Sequence, residues 1–329
     1  MGAGICAALL ASIATLADSP LRPIPWQNPA PLDRLFLQQP FEAPEPEGPG
    51  LSVQFLSANM FLKGGRPGGF QYEIDEEIAT FSFTGRLRIG ERWGLSLMVP
   101  LVVQYGGWLD PVIDGVEKLL HARSARRGSE PFRTTARFGT PGGPVLEQDG
   151  PGASLGDVTL GAQGQLLTQD GLRPALALRA GLKFPTGGGL AGSGTWDVGG
   201  GVLAGWEVEF LAVHLAFDVA LPRGRLHVLE LPTGAYASVQ MGFGFRVSEA
   251  VGLHLQLSGH TSPLHVEDTP GLSGSTFYVL AGAEWHVLPE AGIALSVAEN
   301  FLSPGRGADF SVLLGLRFTP GAASQTGRL

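Results

Sequence analysis

The sequence predicts an all-β protein: a transmembrane up-and-down antiparallel β-barrel of about twelve strands, with one helix in a long outer loop. Three observations predict it. Large apolar residues alternate with small or polar ones, short connections alternate with long ones, and no segment after the leader is apolar enough for a membrane helix. The last strand shows the alternation, since strand side chains point to opposite faces in turn. One face of this strand carries Phe310, Val312, Leu314, Leu316 and Phe318, and the opposite face carries Asp309, Ser311, Gly315 and Arg317.

The composition fits this fold class. Charged residues make up 16% of the chain, compared with about 25% in ordinary soluble domains. Hydrophobic residues make up 44%, which is enough because only one face of each strand needs to be apolar. The net charge of -8 argues against nucleic acid as a partner, since phosphate binding requires a basic surface.

Residues 1–17 are predicted to be a signal peptide. Residues 5–17 form an apolar run that is too short to span a bilayer and ends in small residues before Asp18, although no basic segment precedes it. Cys6 lies inside the run, so a lipid attachment site, which would place the cysteine after the run, does not fit. Cleavage would leave no cysteine and therefore no disulfide or thiolate metal site.

Residues 18–50 are predicted to form a proline-rich arm in the periplasm. Nine prolines lie in this segment, and each removes a backbone donor that a strand would need. The arm is either solvated or tucked into the barrel mouth by its apolar residues. Those residues are Trp26, Leu35, Phe36, Leu37 and Phe41.

The barrel itself is predicted over residues 51–319, followed by a short tail over 320–329. Most of its strands reach the roughly 9–11 residues that a tilted strand needs to cross a bilayer. The predicted strands are 51–62, 70–89, 92–106, 155–168, 172–184, 195–206, 209–221, 234–247, 250–261, 275–287, 291–299 and 308–319.

The connections between these strands alternate in length. Outer-membrane barrels have short periplasmic turns and long outer loops, so the alternation predicts that both chain ends lie on the periplasmic side. The glycine-rich segment 187–194 lacks the lysine of a phosphate-binding loop and is interpreted as a flexible outer loop. The short connections are 90–92, 169–171, 207–208, 248–250 and 289–291, and the longer ones are 63–69, 107–154, 185–194, 222–233, 262–274 and 300–307.

Under this topology the aromatic residues form two girdles on the outward face, where amphipathic rings prefer the membrane interfaces. The girdle near the periplasmic rim contains Trp93, Trp206, Phe245, Trp285 and Phe318, and the girdle near the outer rim contains Tyr105, Phe184, Trp196, Phe277 and Phe310.

The long loop over residues 107–154 carries a predicted helix over 110–127. Asp110 is suited to the N-cap and Pro111 to the first helical position. Its apolar stripe is expected either to fold into the barrel mouth and constrict it, or to rest on neighbouring loops. The stripe residues are Val112, Val116, Leu119 and Leu120.

The inward faces of the strands carry charges of both signs. They predict either a polar pore of mixed selectivity or a salt-bridge network that closes a narrow barrel, because about twelve strands lie between filled small barrels and open porins. The predicted lumen residues are Arg86, Arg88, Asp157, Arg179, Lys183, Asp197, His214, Asp218, Arg246, His254, His260, Glu284, His286 and Arg317.

The lumen histidines raise the possibility of a metal site or a hydrolase. Neighbouring strands often bring imidazole and carboxylate groups together without any such site. Ser258 and His260 lie on one strand without a recognisable hydrolase motif around them. We therefore predict no metal, no cofactor and no catalytic residue.

Several short motifs resemble the bacterial domain-of-unknown-function 3187 family over nearly the whole mature chain. The resemblance implies an outer-membrane-type barrel and no known activity, so it assigns no catalytic residue. The motifs are Gln27-Asn28-Pro29 with Leu35-Phe36-Leu37, the run 106–110, residues 155–162, residues 182–187, and Ala308-Asp309-Phe310.

The sequence thus predicts a bacterial outer-membrane barrel that passes a small solute through its lumen, constricted by the loop helix. A sealed structural or adhesive barrel and an outer-membrane lipid-modifying enzyme are the alternatives. The expected partners are the lipid bilayer, the barrel-assembly machinery and a small-molecule solute.

Overall fold

A computed structural model describes residues 21–109, 134–140, 143–266, 269–300, 302–303 and 306–320. Extended strands dominate these residues, in agreement with the period-two pattern of the sequence. The strands are β1 (Gly50–Gly65), β2 (Gln71–Ile89), β3 (Trp93–Tyr105), β4 (Thr135–Thr140), β5 (Gly143–Asp149), β6 (Gly152–Leu155), β7 (Thr159–Leu167), β8 (Ala175–Lys183), β9 (Trp196–Val208), β10 (Leu211–Arg223), β11 (Arg225–Leu226), β12 (Leu231–Pro232), β13 (Tyr236–Arg246), β14 (Val251–His260), β15 (Thr276–Leu288), β16 (Ala291–Glu299) and β17 (Phe310–Phe318).

Twelve of these strands form a closed antiparallel barrel, which confirms the predicted fold class. Closure comes from the pairing of β1 with β17, which runs from Leu51 opposite Phe318 to Asn59 opposite Phe310. A closed barrel leaves no unpaired edge strand, as a lipid environment requires. The order around the barrel is β1, β2, β3, β7, β8, β9, β10, β13, β14, β15, β16 and β17.

The barrel is apolar outside and polar inside. On β10 the outward side chain of Phe217 is 53% exposed, whereas the inward side chain of Asp218 is 6% exposed. The same alternation of exposed and buried positions runs along β8 and β14. Large exposed side chains such as Leu253 and Leu316 continue this apolar outer surface around the barrel.

The connections lie at two distinct ends, which we call the short-turn end and the long-loop end. The short-turn end joins β2 to β3, β7 to β8, β9 to β10, β13 to β14 and β15 to β16. At the long-loop end, β4 pairs with an extension of β2 and with β5, and β6 pairs with β3. The segment 107–154 therefore contains strands that the sequence pattern did not predict.

A short α-helix, α1 (Pro270–Ser273), and two 3-10 helices, Asp33–Leu35 and Gly189–Ala191, are the helices among the described residues. No helix in this part of the chain has the length and apolarity needed to cross a membrane. The predicted helix over 110–127 and its stripe, Val112, Val116, Leu119 and Leu120, lie outside the described residues, as do the predicted signal peptide and residues 321–329.

The largest departure from the expected organisation concerns the N-terminal arm. Residues 21–49 run through the barrel lumen and return, and their large apolar side chains are almost fully buried. Of the two alternatives for the arm, solvated or tucked into the barrel mouth, residues 21–49 follow the second and extend beyond the mouth through the lumen. The physical reason is that several inward positions of the wall are glycines, which leave a bore wide enough for a second layer of chain.

Candidate functional site: a lumen occupied by residues 21–49

We call residues 21–49 the plug. Its ascending limb (21–28) runs from the short-turn end to the long-loop end, its tip (29–36) turns there, and its descending limb (37–49) returns to β1. Leu21 lies beside Gly244, close to the end of β13, and Gly48 lies beside Thr319 at the other side of the same end. Both ends of the plug therefore lie at the short-turn end of the barrel.

The ascending limb is held by wall side chains that bind its backbone. The Gln256 side chain accepts a hydrogen bond from the Ile24 N–H (2.7 Å) and donates one to the Ile24 carbonyl (3.0 Å). Gln54 donates to the Pro25 carbonyl at 2.9 Å. The Trp26 ring packs against Tyr278, with 4.8 Å between the ring centroids.

The tip is anchored both by polar contacts and by an apolar cluster at the long-loop end. The Asp33 carboxylate accepts hydrogen bonds from Ser262 (3.1 Å) and from Asn28 (3.3 Å). Burial raises the pKa of Asp33 to about 7, although both hydrogen bonds act in the opposite direction. Apolar side chains of the tip and the loops share one buried cluster, which includes Leu32, Leu35, Phe36, Met60, Ile74, Phe138, Leu190, Leu226, Leu264 and Leu272.

The descending limb is anchored by two predicted lumen residues, Asp197 and Arg179, and by Tyr236, which was not predicted. The Leu37 N–H donates to Asp197 at 2.7 Å, and the Tyr236 hydroxyl donates to the Leu37 carbonyl. Arg179 donates to the Pro40 carbonyl while it forms a two-point ion pair with Asp218. The two bonds of that pair measure 2.7 and 2.6 Å.

Inward glycines provide the space that the plug occupies. A Cβ atom placed on Gly242 would lie 2.7 Å from the Phe41 ring, and one on Gly199 would lie 2.9 Å from Leu37. A real Cβ atom essentially never lies within 3 Å of a non-bonded heavy atom, so a side chain at either position would force the plug to shift. The same holds for Gly205 beside Pro44, Gly244 beside Leu21 and Gly282 beside Ile24.

A charged cluster ties the plug to the short-turn end. Glu47 lies within ion-pair distance of Arg86 (3.3 Å), Arg317 (3.2 Å) and Arg22 (4.0 Å). Burial alone would raise the pKa of Glu47, but the three guanidinium groups outweigh it and hold the pKa at about 2. Arg317 also contacts Glu284, whose carboxylate lies 3.1 Å from the His286 ring nitrogen.

A second buried network folds the loop after β8 inward. Lys183 lies 2.6 Å from Asp157 and 3.5 Å from Asp197. Asp157 in turn accepts hydrogen bonds from the backbone N–H groups of Gly187 and Ser193, which pins the loop between them. The segment interpreted as a flexible outer loop is thus partly inside the barrel, where Leu190 joins the apolar cluster of the tip.

The remaining predicted lumen residues occupy different environments. His214, His254 and His260 are buried, and His260 is bound to the Ser258 hydroxyl at 2.7 Å. Arg246 is partly exposed and pairs with Glu207 at 2.9 Å. Arg88 is exposed at the short-turn rim, where it donates to the Glu91 carbonyl at 2.8 Å. No group of three or more metal-binding side chains is assembled within the described ranges.

Most of the predicted girdle residues are exposed on the outer surface. Those that are more than 40% exposed are Trp93, Trp196, Phe245, Phe277, Trp285 and Phe318. Phe184 and Trp206 are partly covered, by a ring contact with Trp196 and by a hydrogen bond to the Gly171 carbonyl respectively. Tyr105 and Phe310 are also partly covered, and the Tyr105 hydroxyl is bonded to Ser57.

Two chambers remain between the plug and one side of the wall. The lower chamber, towards the short-turn end, has a water-accessible volume of about 60 Å³, and the upper chamber has about 70 Å³. Since one water centre needs roughly 10–15 Å³, each chamber holds a few water molecules. Both chambers are lined by residues of β2, β3, β7 and β8 and by the plug.

Sequence reasoning missed the role of the plug, including that of Gln38 and Glu47. Two signals point to it in retrospect. The arm carries apolar residues at a density that a solvated segment does not need, and the inward faces of several strands carry glycines where a filled barrel would carry side chains. Neither signal alone indicates that the arm fits into the space left by the glycines.

The fold is an outer-membrane-type β-barrel of twelve strands with an occupied lumen. The sequence over residues 24–319 matches the family described as Protein of unknown function (DUF3187), and the chain belongs to that family. No curated protein shows significant sequence similarity to the chain.

Solved structures of outer-membrane channels are similar in fold. An outer-membrane channel from Pseudomonas putida F1 shares 12% identity over 83% of this chain and 96% of that chain, with a TM-score of 0.52. The NanC porin shares 8% identity over 82% of this chain and 98% of its own, with a TM-score of 0.47. The P. putida toluene transporter TodX shares 9% identity over 83% and 90%, with a TM-score of 0.45. At such identities the likeness concerns the fold alone.

Proposed function

We propose that this protein is an outer-membrane channel for a small solute, and that the plug, by shifting within the lumen, controls passage. The observation that carries the proposal is the fit between plug and wall. The bore is wide because inward positions are glycine, and it is filled by a segment that contributes no strand to the barrel. A barrel built to be sealed could fill its lumen with wall side chains, as small barrels do.

The outer surface supports the membrane location. An apolar band of this kind on a closed barrel is matched to lipid, where a charge at mid-depth costs roughly 2–4 kcal/mol. The short-turn end then faces the periplasm, as short turns do in such barrels. Both limbs of the plug begin there, so the plug is connected to the periplasmic side.

A covalent lock tests whether passage depends on plug movement. The Pro46 Cβ lies 3.2 Å from a Cβ built on Gly94, which is close to the roughly 3.5–4.5 Å that a disulfide requires. Cysteines at both positions, with Cys6→Ser, would join the descending limb to β3. Single-channel conductance in planar bilayers is then measured before and after oxidation.

The oxidised double variant should conduct about tenfold less than its reduced form, and dithiothreitol should restore conductance. Each single-cysteine variant is the matched control and should not respond to oxidation. Equal conductance of the locked and reduced forms would reject the plug as the gate.

A variant lacking residues 21–48 separates a channel from a sealed barrel. Its folding is checked by heat-modifiable migration in gels, and it should conduct more than the wild type. If only this deletion conducts and the intact protein never does, passage through the plugged protein is rejected. The small size of the two chambers favours that sealed alternative, in which the plug is a permanent filling.

A further inference from the structure

Gln38 lies at the point where the internal cavities meet. It lines the lower chamber, the upper chamber and a third cavity of about 10 Å³ beside Asp218 and His260. The two larger chambers share only Gln38, Met98 and Thr159 among their lining residues. These three side chains therefore lie between the chambers, at a position that we call the neck, and Gln38 is the one that belongs to the plug.

The Gln38 side chain is fixed in this neck by the other limb of the plug. Its amide oxygen accepts a hydrogen bond from the Asn28 N–H at 2.6 Å, and its amide nitrogen donates to the Asn28 carbonyl at 2.9 Å. The Gln27 side chain donates to the Gln38 carbonyl at 2.9 Å. The same amide thus fills the neck and joins the two limbs.

The chamber walls combine apolar surface with hydrogen-bonding groups, and the charges of the lower chamber are balanced. The lower chamber has guanidinium groups from Arg22, Arg86 and Arg179 and carboxylates from Glu42, Glu45 and Glu47. Most of these groups already have partners of opposite charge, so an ion entering alone would have to compete with existing pairs. Hydroxyl and amide groups complete both walls, at Gln54, Thr80, Ser82, Thr84, Ser96, Thr159 and Gln163.

We infer that the two chambers form one solute path along the β2–β3–β7–β8 side of the plug, that Gln38 closes this path at its neck, and that its solutes are small, uncharged, hydrogen-bonding molecules. This rests on the proposed channel function and names its route and its solute class. An uncharged polyol exchanges hydrogen bonds with the wall groups and breaks no ion pair. A hydrocarbon would offer no hydrogen bond to the hydroxyl groups of Thr80, Thr84 and Ser96 in the walls.

Gln38→Ala tests the neck directly. The full-length variant in liposomes should swell about fivefold faster than the wild type in iso-osmotic erythritol, because the truncated side chain no longer fills the neck. Swelling in potassium glutamate, a net anionic probe, should rise much less. Gln39→Ala is the matched control, since Gln39 lines the lower chamber and the small cavity but not the neck, and its rate should stay within about twofold of the wild type.

Gln38 has two roles, to fill the neck and to join the two limbs, and Gln38→Met separates them. Methionine has a similar length and still fills the neck, but it cannot form the amide hydrogen bonds to Asn28. It should stay close to the wild-type rate. Trypsin cleavage after Arg34 reports whether the plug has left the lumen, because the bond between Arg22 and Pro23 resists trypsin. Equal rates for Gln38→Ala and Gln39→Ala overturn the inference. Equal acceleration by Gln38→Ala and Gln38→Met, with new cleavage at Arg34, overturns it as well, since Gln38 then only holds the plug.

The plug deletion distinguishes failure of this inference from failure of the channel function. If the wild type and the variant lacking residues 21–48 both admit erythritol and Gln38→Ala is no faster than the wild type, only the route past Gln38 is wrong. If the wild type admits no erythritol, whether or not the deletion variant does, the proposed channel function is wrong.

Discussion

Replacement of Glu47 by glutamine should loosen the plug from the short-turn end of the barrel. Glutamine keeps the size of the side chain and removes its charge. Arg22, Arg86 and Arg317 would then lose the carboxylate that they share and would be left close together in a poorly solvated site. Arg86 retains Glu42 at 3.5 Å, and Arg317 retains its contact with Glu284.

The size of the effect follows from the pKa of Glu47. The pKa falls from 4.5 to about 2 in the folded protein, and each pKa unit corresponds to about 1.4 kcal/mol. The carboxylate therefore contributes about 3 kcal/mol at neutral pH, similar to the roughly 3–5 kcal/mol lost when one partner of a buried pair is removed. Because the folded pKa is lowered, this contribution is complete above pH 4.5 and is lost as the pH falls towards 2.

The assay is urea unfolding of the protein in lipid vesicles, combined with glutamyl endopeptidase cleavage between Glu42 and Ala43. At pH 7 Glu47→Gln should lower the free energy of unfolding by about 3 kcal/mol and expose Glu42, and the stability difference from the wild type should shrink towards pH 3. Glu249→Gln, in the exposed turn between β13 and β14, is the charge-matched control. If Glu47→Gln matches that control at pH 7, the cluster does not hold the plug.

Two further predictions concern the wall and the tip. Gly242→Val should displace the Phe41 ring and raise bilayer conductance. Adding Phe41→Ala should relieve the clash, so the double variant should be more stable than Gly242→Val alone. If the stability losses of the two substitutions are simply additive, Gly242 and Phe41 are not in direct contact. Asp33 has a raised pKa of about 7 because it is buried, so its contribution to stability is complete below pH 3.8 and is lost as the pH rises through 7. The wild type should therefore be about 2–3 kcal/mol less stable at pH 8 than at pH 5, and Asp33→Asn should remove this difference. If Asp33→Asn keeps the same pH dependence of stability, the dependence does not come from Asp33.

The barrel could be predicted from the sequence because its pattern is local. Successive side chains of a strand point to opposite faces, so the alternation in β13 or β17 can be recognised without knowledge of the neighbouring strands. The predicted strand 291–299 has the bounds of β16, and the others differ from the structure by a few residues. The strands of the 107–154 segment were missed because β4 and β6 depend on pairing with β2 and β3 rather than on their own alternation.

The plug could not be predicted in the same way, because its contacts are long-range and involve single residues. Ile24 contacts Gln256 and Gly282, and Phe41 contacts Gly242, across most of the chain. A glycine at an inward position is equally consistent with strand curvature and with a bound segment. Only the three-dimensional structure shows that the side chains missing from the wall are replaced by those of the arm.

The prolines of the arm acquire a physical meaning in this structure. A segment that enters a polar lumen must satisfy each buried backbone N–H and carbonyl, and proline has no N–H to satisfy. The plug therefore needs donors from the wall more than acceptors. The wall supplies them from Gln54 to Pro25, from Arg179 to Pro40 and from Gln163 to the carbonyls of Ala43 and Pro44.

This division of donors and acceptors also explains how the plug can be held without becoming part of the barrel. Prolines prevent the limbs from forming a ladder with a strand, so the polar contacts of the plug are separate side-chain bonds, each worth about 1 kcal/mol, and one charged cluster. Apolar packing at the tip and along the limbs adds to them. Such bonds can be exchanged for water or solute one at a time, whereas a ladder would have to open together. A proline-rich insert is therefore suited to the proposed channel, in which the plug closes the lumen and shifts to let a solute pass.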